Sequence, residues 1–165
     1  MVSTLVEDKD RNRQIVNDVI AEVQAQAGTA LVVSDRVAHC EALAELVRGT
    51  GLRAEVLTGK TPRDRREGIV AAVQAGEVPV LCSTIQLLGE GFDCSGLSSL
   101  FLTTPVRFKG RLLQVVGRIL RPGTGKRPRV FDYVDAQVGL LHHQAQKRAQ
   151  ALAELTGLPQ GRHNQ

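Results

Sequence analysis

Val78-Pro79-Val80-Leu81-Cys82-Ser83-Thr84-Ile85-Gln86-Leu87-Leu88-Gly89-Glu90-Gly91-Phe92-Asp93 joins a continuously apolar run to a loop in which two glycines flank a glutamate. The run lacks the apolar-polar alternation of a half-exposed strand, so both of its sides are expected to meet protein. That is the pattern of a parallel sheet covered on two faces. The glycines predict a backbone that turns sharply and comes close to a ligand. Asp93 is placed like carboxylates that accept ribose hydroxyls, although an isolated Gly-x-Asp is more often a turn.

Similar β-rich runs lie on either side: Ala30-Leu31-Val32-Val33-Ser34, Ala54-Glu55-Val56-Leu57, Ser99-Leu100-Phe101-Leu102-Thr103 and Arg129-Val130-Phe131-Asp132-Tyr133-Val134. Helical periodicity occupies residues 9–27, 36–49, 62–75, 110–121 and 136–156. Strands alternating with helices predict an α/β domain of three layers, with a mostly parallel sheet of about five or more strands between helices. One such domain is expected over residues 1–157, with 158–165 as a flexible tail. Ligands of these sheets bind beyond the carboxyl ends of the strands. The loops there hold Ser34-Asp35-Arg36, Thr58-Gly59-Lys60-Thr61, the stretch from Thr84 to Asp93, and Thr104-Pro105.

The chain has 165 residues, 42% of them hydrophobic, enough for one core, and its composition is neither disordered nor fibrous. A net charge of +4 agrees with a phosphate-rich partner but is weak support by itself. Cys40, Cys82 and Cys94 are widely spaced and form no zinc pattern, which fits reduced thiols. There is neither a membrane-length apolar run nor a signal-peptide pattern, and the expected location is the cytoplasm.

Ala54-Glu55-Val56-Leu57-Thr58-Gly59-Lys60-Thr61 fits a permissive phosphate-loop pattern, with alanine for the first glycine. Taken at face value it makes the chain a self-sufficient nucleotide kinase or hydrolase. Three features oppose this: Glu55, Val56 and Leu57 read as strand, Pro62 follows at once, and no convincing strand-end aspartate completes a magnesium site. A milder use is that Thr58 and Gly59 precede a helix whose free N–H groups hold a nucleic-acid phosphate, with Lys60, Arg63, Arg65 and Arg66 adding charge. A solvated basic first turn explains the same residues, and both readings stay open.

Near the end of the fourth helical pattern, Gln114, Gly117, Arg118 and Arg121 fall at i, i+3, i+4 and i+7 on one stripe. Leu112, Leu113, Val115, Val116, Ile119 and Leu120 fill the other face and anchor the helix, which Pro122 ends. An ordinary amphipathic helix with arginines in its last turn accounts for the charges. It does not account for Gly117, which costs about 1 kcal/mol relative to alanine in a helix interior.

Gly89-Glu90-Gly91-Phe92-Asp93-Cys94, Phe108-Lys109-Gly110-Arg111-Leu112-Leu113-Gln114, Gly117-Arg118-Ile119-Leu120-Arg121-Pro122, Gly125-Lys126 and Asp132-Tyr133-Val134-Asp135 run in an order that resembles the second RecA-like domain of superfamily-two helicases. The resemblance covers about residues 28–135 and is closest to helicase subunits of restriction systems and related DEAD/DEAH-type proteins. It implies that Arg118 and Arg121 are arginine fingers, Gln114 senses the γ-phosphate, and Asp93 contacts the ribose. Thr84 and Gly91 match the loop coupling the nucleotide to the nucleic-acid track, and Arg66 an arginine that touches its backbone. The family's common histidine at the head of the last motif is Gln114 here, and the loop from Thr84 to Asp93 is one residue longer than in DEAD-box members. These departures favour restriction and repair helicases, and DNA over RNA.

The resemblance further implies ATP and Mg2+, held mainly by a first RecA-like domain in the same polypeptide or a partner subunit. Neither its phosphate loop nor its magnesium-holding carboxylates are evident in this sequence. The expected function is therefore the C-terminal half of a motor, inactive in isolation. The alternative is a non-catalytic nucleic-acid-binding or regulatory module that retains the motor fold.

Overall fold

The structure, a computed structural model, describes residues 7–90, 94–105, 113, 114, 116, 117 and 129–133. Its elements are α1 (Lys9–Ala25), β1 (Thr29–Ser34), α2 (Val37–Arg48), β2 (Ala54–Leu57), α3 (Arg63–Gln74), β3 (Val80–Thr84), α4 (Ile85–Gly89), β4 (Leu97–Leu102) and β5 (Arg129–Asp132). Among the described residues the sheet has five strands, all parallel, in the order β2-β3-β1-β4-β5. The five expected strands and the helices predicted at 9–27, 36–49 and 62–75 are present within a few residues of their predicted limits; of the helix predicted at 110–121 the structure describes residues 113, 114, 116 and 117, all helical. The predicted helix at 136–156 and the tail at 158–165 lie outside the described residues.

One expectation needs correcting. The stretch after β3 is not loop throughout, because residues 85–89 form the short helix α4, which buries Leu87 and Leu88. The apolar pair needs a core position, and a helical turn supplies it without leaving backbone groups unpaired.

Strand alternation sorts the core into two layers. Leu31, Val33, Leu57, Leu81, Leu100 and Leu102 pack with Ile69 and Val73 of α3, Leu87 and Leu88 of α4, and Val116. Ala30, Val32, Ala54, Val56, Val80, Cys82, Phe101 and Phe131 pack on the opposite face with Ile15, Val16 and Val19 of α1 and Leu43, Ala44 and Val47 of α2. A sheet covered on both sides explains why its central strands are buried along their entire length.

Local chemistry sets the boundaries. The Asp8 carboxylate accepts hydrogen bonds from the Asp10 and Arg11 amides and caps α1. Gly28 links α1 to β1 at φ +110°, and a Cβ there would meet the Ser98 Cβ at 2.6 Å, so this turn needs glycine twice over. Toward the other edge, Phe101 of β4 and Phe131 of β5 are register partners whose rings stack with centroids 4.3 Å apart. Such aromatic pairs contribute about 0.5–1.5 kcal/mol beyond area burial.

Candidate functional site

Because all five strands run the same way, their carboxyl ends share one edge of the sheet. Ser34 of β1 pairs with Thr84 of β3, and Leu57 of β2 pairs with Ser83, so Thr58 leaves the sheet beside Thr84. On the other side of β1, Val33 pairs with Leu102, and Thr103 and Thr104 follow it. The fold thus brings Thr58, Gly59, Lys60 and Thr84 to one edge.

Their surroundings differ. Thr58 and Thr84 are buried, whereas Gly59 and Lys60 are exposed. The Thr58 amide donates to Thr61 Oγ1 at 3.0 Å, the Lys60 amide donates to Thr58 Oγ1 at 3.3 Å, and the Thr61 amide donates to the Thr58 carbonyl at 3.1 Å. These amides are engaged within the turn, unlike those of a loop that cradles phosphates. Residues 54–57 are strand, so the phosphate-loop reading lacks its loop. The Thr61 hydroxyl is also engaged, and α3 starts from Pro62 with no side-chain cap. Its first-turn amides are free of intrahelical partners, as at any helix start.

Arg63 is paired with Glu67 at 3.0 Å, and Arg65 is exposed. Arg66 is half-buried, and its Nε is enclosed without a hydrogen-bond partner. Gln114 and Gly117 are helical; Gln114 is exposed, Gly117 half-buried, and Val116 is 1% exposed in the core. The predicted division of this helix into an anchored face and an outward amide therefore holds where the structure describes it. Arg118, Arg121, Gly91 and Asp93 lie outside the described residues.

Between the central loops lies a polar cluster that sequence reading misses. His39 Nε2 and Asn12 Oδ1 are 2.9 Å apart, as are His39 Nδ1 and Ser34 Oγ, and the Arg36 amide donates to Ser34 Oγ at 3.2 Å. The Asp35 amide donates to Thr104 Oγ1 at 2.9 Å. Arg11 donates to the Thr103 carbonyl at 2.6 Å and to the Tyr133 carbonyl at 3.5 Å. Burial, and secondarily the Arg11 guanidinium, push His39 down to about 4, leaving the ring neutral at pH 7. A signal for His39 was present: it shares the helical stripe of Leu43 and Val47, where a polar residue stands out.

The model of the helicase conserved C-terminal domain matches residues 12–123, more than half of the chain. The chain belongs to the helicase conserved C-terminal domain family. The match includes most of α1, upstream of the motifs that carry the sequence resemblance. "Putative helicase 22" of Sulfolobus islandicus filamentous virus is 31% identical to this C-terminal domain over 116 residues, 70% of this chain and 20% of that protein. "Putative ATP-dependent helicase IRC3" of Saccharomyces cerevisiae is 27% identical over 122 residues, 73% of this chain and 17% of that protein. The domain therefore spans about a fifth of the length of these relatives.

Solved structures agree on the fold. T4 UvsW matches with a TM-score of 0.72 at 19% identity, over 94% of this chain and 34% of that one. The E. coli DEAD-box protein SrmB, solved bound to regulator of ribonuclease activity A, matches with a TM-score of 0.67 at 21% identity, over 86% of this chain and 80% of that one. Among the described residues of the helicase C-terminal domain, no group of three His, Cys, Asp or Glu side chains is arranged to hold a metal ion, and no helix is long and apolar enough to cross a membrane.

Proposed function

We infer that this helicase C-terminal domain is half of an ATP-dependent nucleic-acid motor, a helicase or translocase, and that it works against a first RecA-like domain. The observation that carries the reading is the match to the family over residues 12–123 together with an Ala54–Leu57 strand where a phosphate loop would have to begin. ATP and Mg2+ would be held mainly by the first domain, the nucleotide supplying the phosphoryl group whose transfer drives movement. This chain's contribution is charge and position. Arg118 and Arg121 would neutralise charge on the γ-phosphoryl oxygens, Gln114 would report their presence, and Asp93 and Gly91 would lie along the nucleotide side.

The nucleic-acid track would run over the carboxyl edge, past Lys60, Gly59, Arg66 and the α3 N-terminus, with Thr58 and Thr84 holding the backbone beneath it. The exposed Lys60 and Arg65 and the half-buried Arg66 around the start of α3 support this, since they place positive charge along that edge. DNA is the favoured strand, on the departures from DEAD-box pattern at Gln114 and between Thr84 and Asp93. Residues 1–157 are assigned to the one domain, in the cytoplasm.

Nucleic-acid-stimulated ATP hydrolysis tests the reading. The purified chain alone is expected to be inactive, and joining it to a first RecA-like domain of its family to restore turnover. Robust hydrolysis by the chain alone would overturn the half-motor assignment. Nucleic-acid binding with no turnover in any two-domain protein would favour the non-catalytic module.

A further inference from the structure

Ser34 and His39 are fully buried, Asn12 is 6% exposed, and Thr103 and Thr104 are fully buried, all at the carboxyl edge. Burying polar groups is costly unless every one is paired, so apolar residues of similar size would stabilise the fold more cheaply here. What the cluster supplies is direction. Asn12 Oδ1 can only accept, so it holds the proton of His39 on Nε2 and leaves Nδ1 as an acceptor. Nδ1 then receives the Ser34 hydroxyl hydrogen, which turns a Ser34 lone pair toward the Arg36 amide.

The next amide back, that of Asp35, is held by Thr104 Oγ1 from the neighbouring strand end. Two successive amides of the loop between β1 and α2 are thus held by the side chains of Ser34, at the end of β1, and Thr104, after β4, and Ser34 is itself oriented from α2 and α1. The loop itself lies beside Thr84, through the Ser34 and Thr84 pairing, and its Asp35 and Arg36 residues are exposed.

We propose that Asn12 and His39 are positioning residues, which set the Ser34–Arg36 loop in the one shape that meets a nucleic-acid strand without touching the strand themselves. This rests on the reading of the carboxyl edge as the nucleic-acid track. The strongly lowered basicity of His39 agrees with it, because a neutral ring is needed for Nδ1 to accept.

The full chain carrying Asn12→Ala, compared with Asn12→Asp, which keeps an acceptor at the same place, tests the proposal by two measurements. Amide hydrogen exchange is expected to speed up about tenfold at Arg36 in Asn12→Ala, while Cys82 in β3 keeps its protection; Asn12→Asp restores the slow rate. Binding of a fluorescein-labelled oligo-dT at low salt is expected to weaken about three- to tenfold in Asn12→Ala and to return in Asn12→Asp. Unchanged exchange at Arg36, equal loss of protection at Cys82, or faster exchange with unaltered oligo-dT affinity would each overturn the positioning role. If the unaltered chain binds no oligo-dT while the exchange pattern is as expected, the track reading itself falls, and the proposed role with it.

Discussion

Arg129, at the start of edge strand β5, lies 2.9 Å from the carboxylate of Glu22 on α1, and the two differ sharply in exposure: the arginine side chain is 57% exposed, that of Glu22 only 2%. Glu22 also accepts from the Gln26 amide group. Farther along the same two elements, the Tyr133 hydroxyl donates to Asp18 at 2.8 Å and Arg11 reaches the Tyr133 carbonyl. α1 is therefore laced to β5 and to Tyr133 just beyond it, and it runs antiparallel to the strand. Burial and the Asp18 carboxylate raise the Tyr133 phenol well above its ordinary range, so it remains a donor at any physiological pH.

Removing the outer partner of that pair strands a buried carboxylate. Arg129→Met, which keeps an apolar stem over Phe131, is expected to lower unfolding stability by about 1–2 kcal/mol, the exposure of the arginine keeping the loss below that of a fully buried pair. Replacing Glu22 with Met as well should recover most of it. Urea titrations of the single and double variants measure both effects.

His39 makes stability depend on pH. Its folded value, about 4, lies below the unfolded value near 6.5, so the neutral ring contributes fully above pH 6.5. As pH falls from 6.5 to 4, the unfolded chain takes up a proton that the folded one refuses, and about 3 kcal/mol is lost. The difference in stability between the unaltered chain and His39→Gln should shrink across that window and level off below it.

The thiols should be inert while the chain is folded. Burial pushes Cys40 up to about 12 and Cys82 higher still, and Cys94 is buried with its thiol donating to the Ser95 carbonyl. Since the thiolate is the reactive form, iodoacetamide at pH 8 is expected to label none of the three until denaturant is added. Mass spectrometry before and after unfolding checks this.

Lys60→Ala should separate the strand track from the nucleotide site. Lys60 is exposed on a turn whose amides bond internally, so its loss should weaken single-strand binding about threefold and lower the salt slope by about one, uniformly across sequences. ATP affinity of a complete motor should not change. Fluorescence anisotropy at several salt concentrations, with nucleotide titrations alongside, reads both.

Arg118→Ala and Arg121→Ala, made in a complete two-domain motor, should each lower the saturated ATPase rate by about three orders of magnitude while leaving nucleotide-free strand binding in place. Lysine should substitute poorly, because a single ammonium lacks the planar fork that can hold two phosphate oxygens. Steady-state kinetics at saturating nucleic acid measures the effect.

Read from the sequence alone, the unbroken apolar runs around Leu31, Leu81 and Leu100 determined a sheet buried on both faces, and the phase of Gln114, Val116 and Gly117 determined which side of their helix faces out. Both are local consequences of periodicity, which reports the side of an element that avoids water. The strand order β2-β3-β1-β4-β5, the helical turn at residues 85–89 and the burial of Thr58 and Thr84 were decided only in three dimensions. So was the joining of Asn12 to His39, 27 residues apart, and of Asp35 to Thr104, 69 residues apart. A polar side chain in a sequence carries no record of its partner. Only when parallel strands bring their carboxyl ends to one edge do these groups lose water together, and each must then find the other.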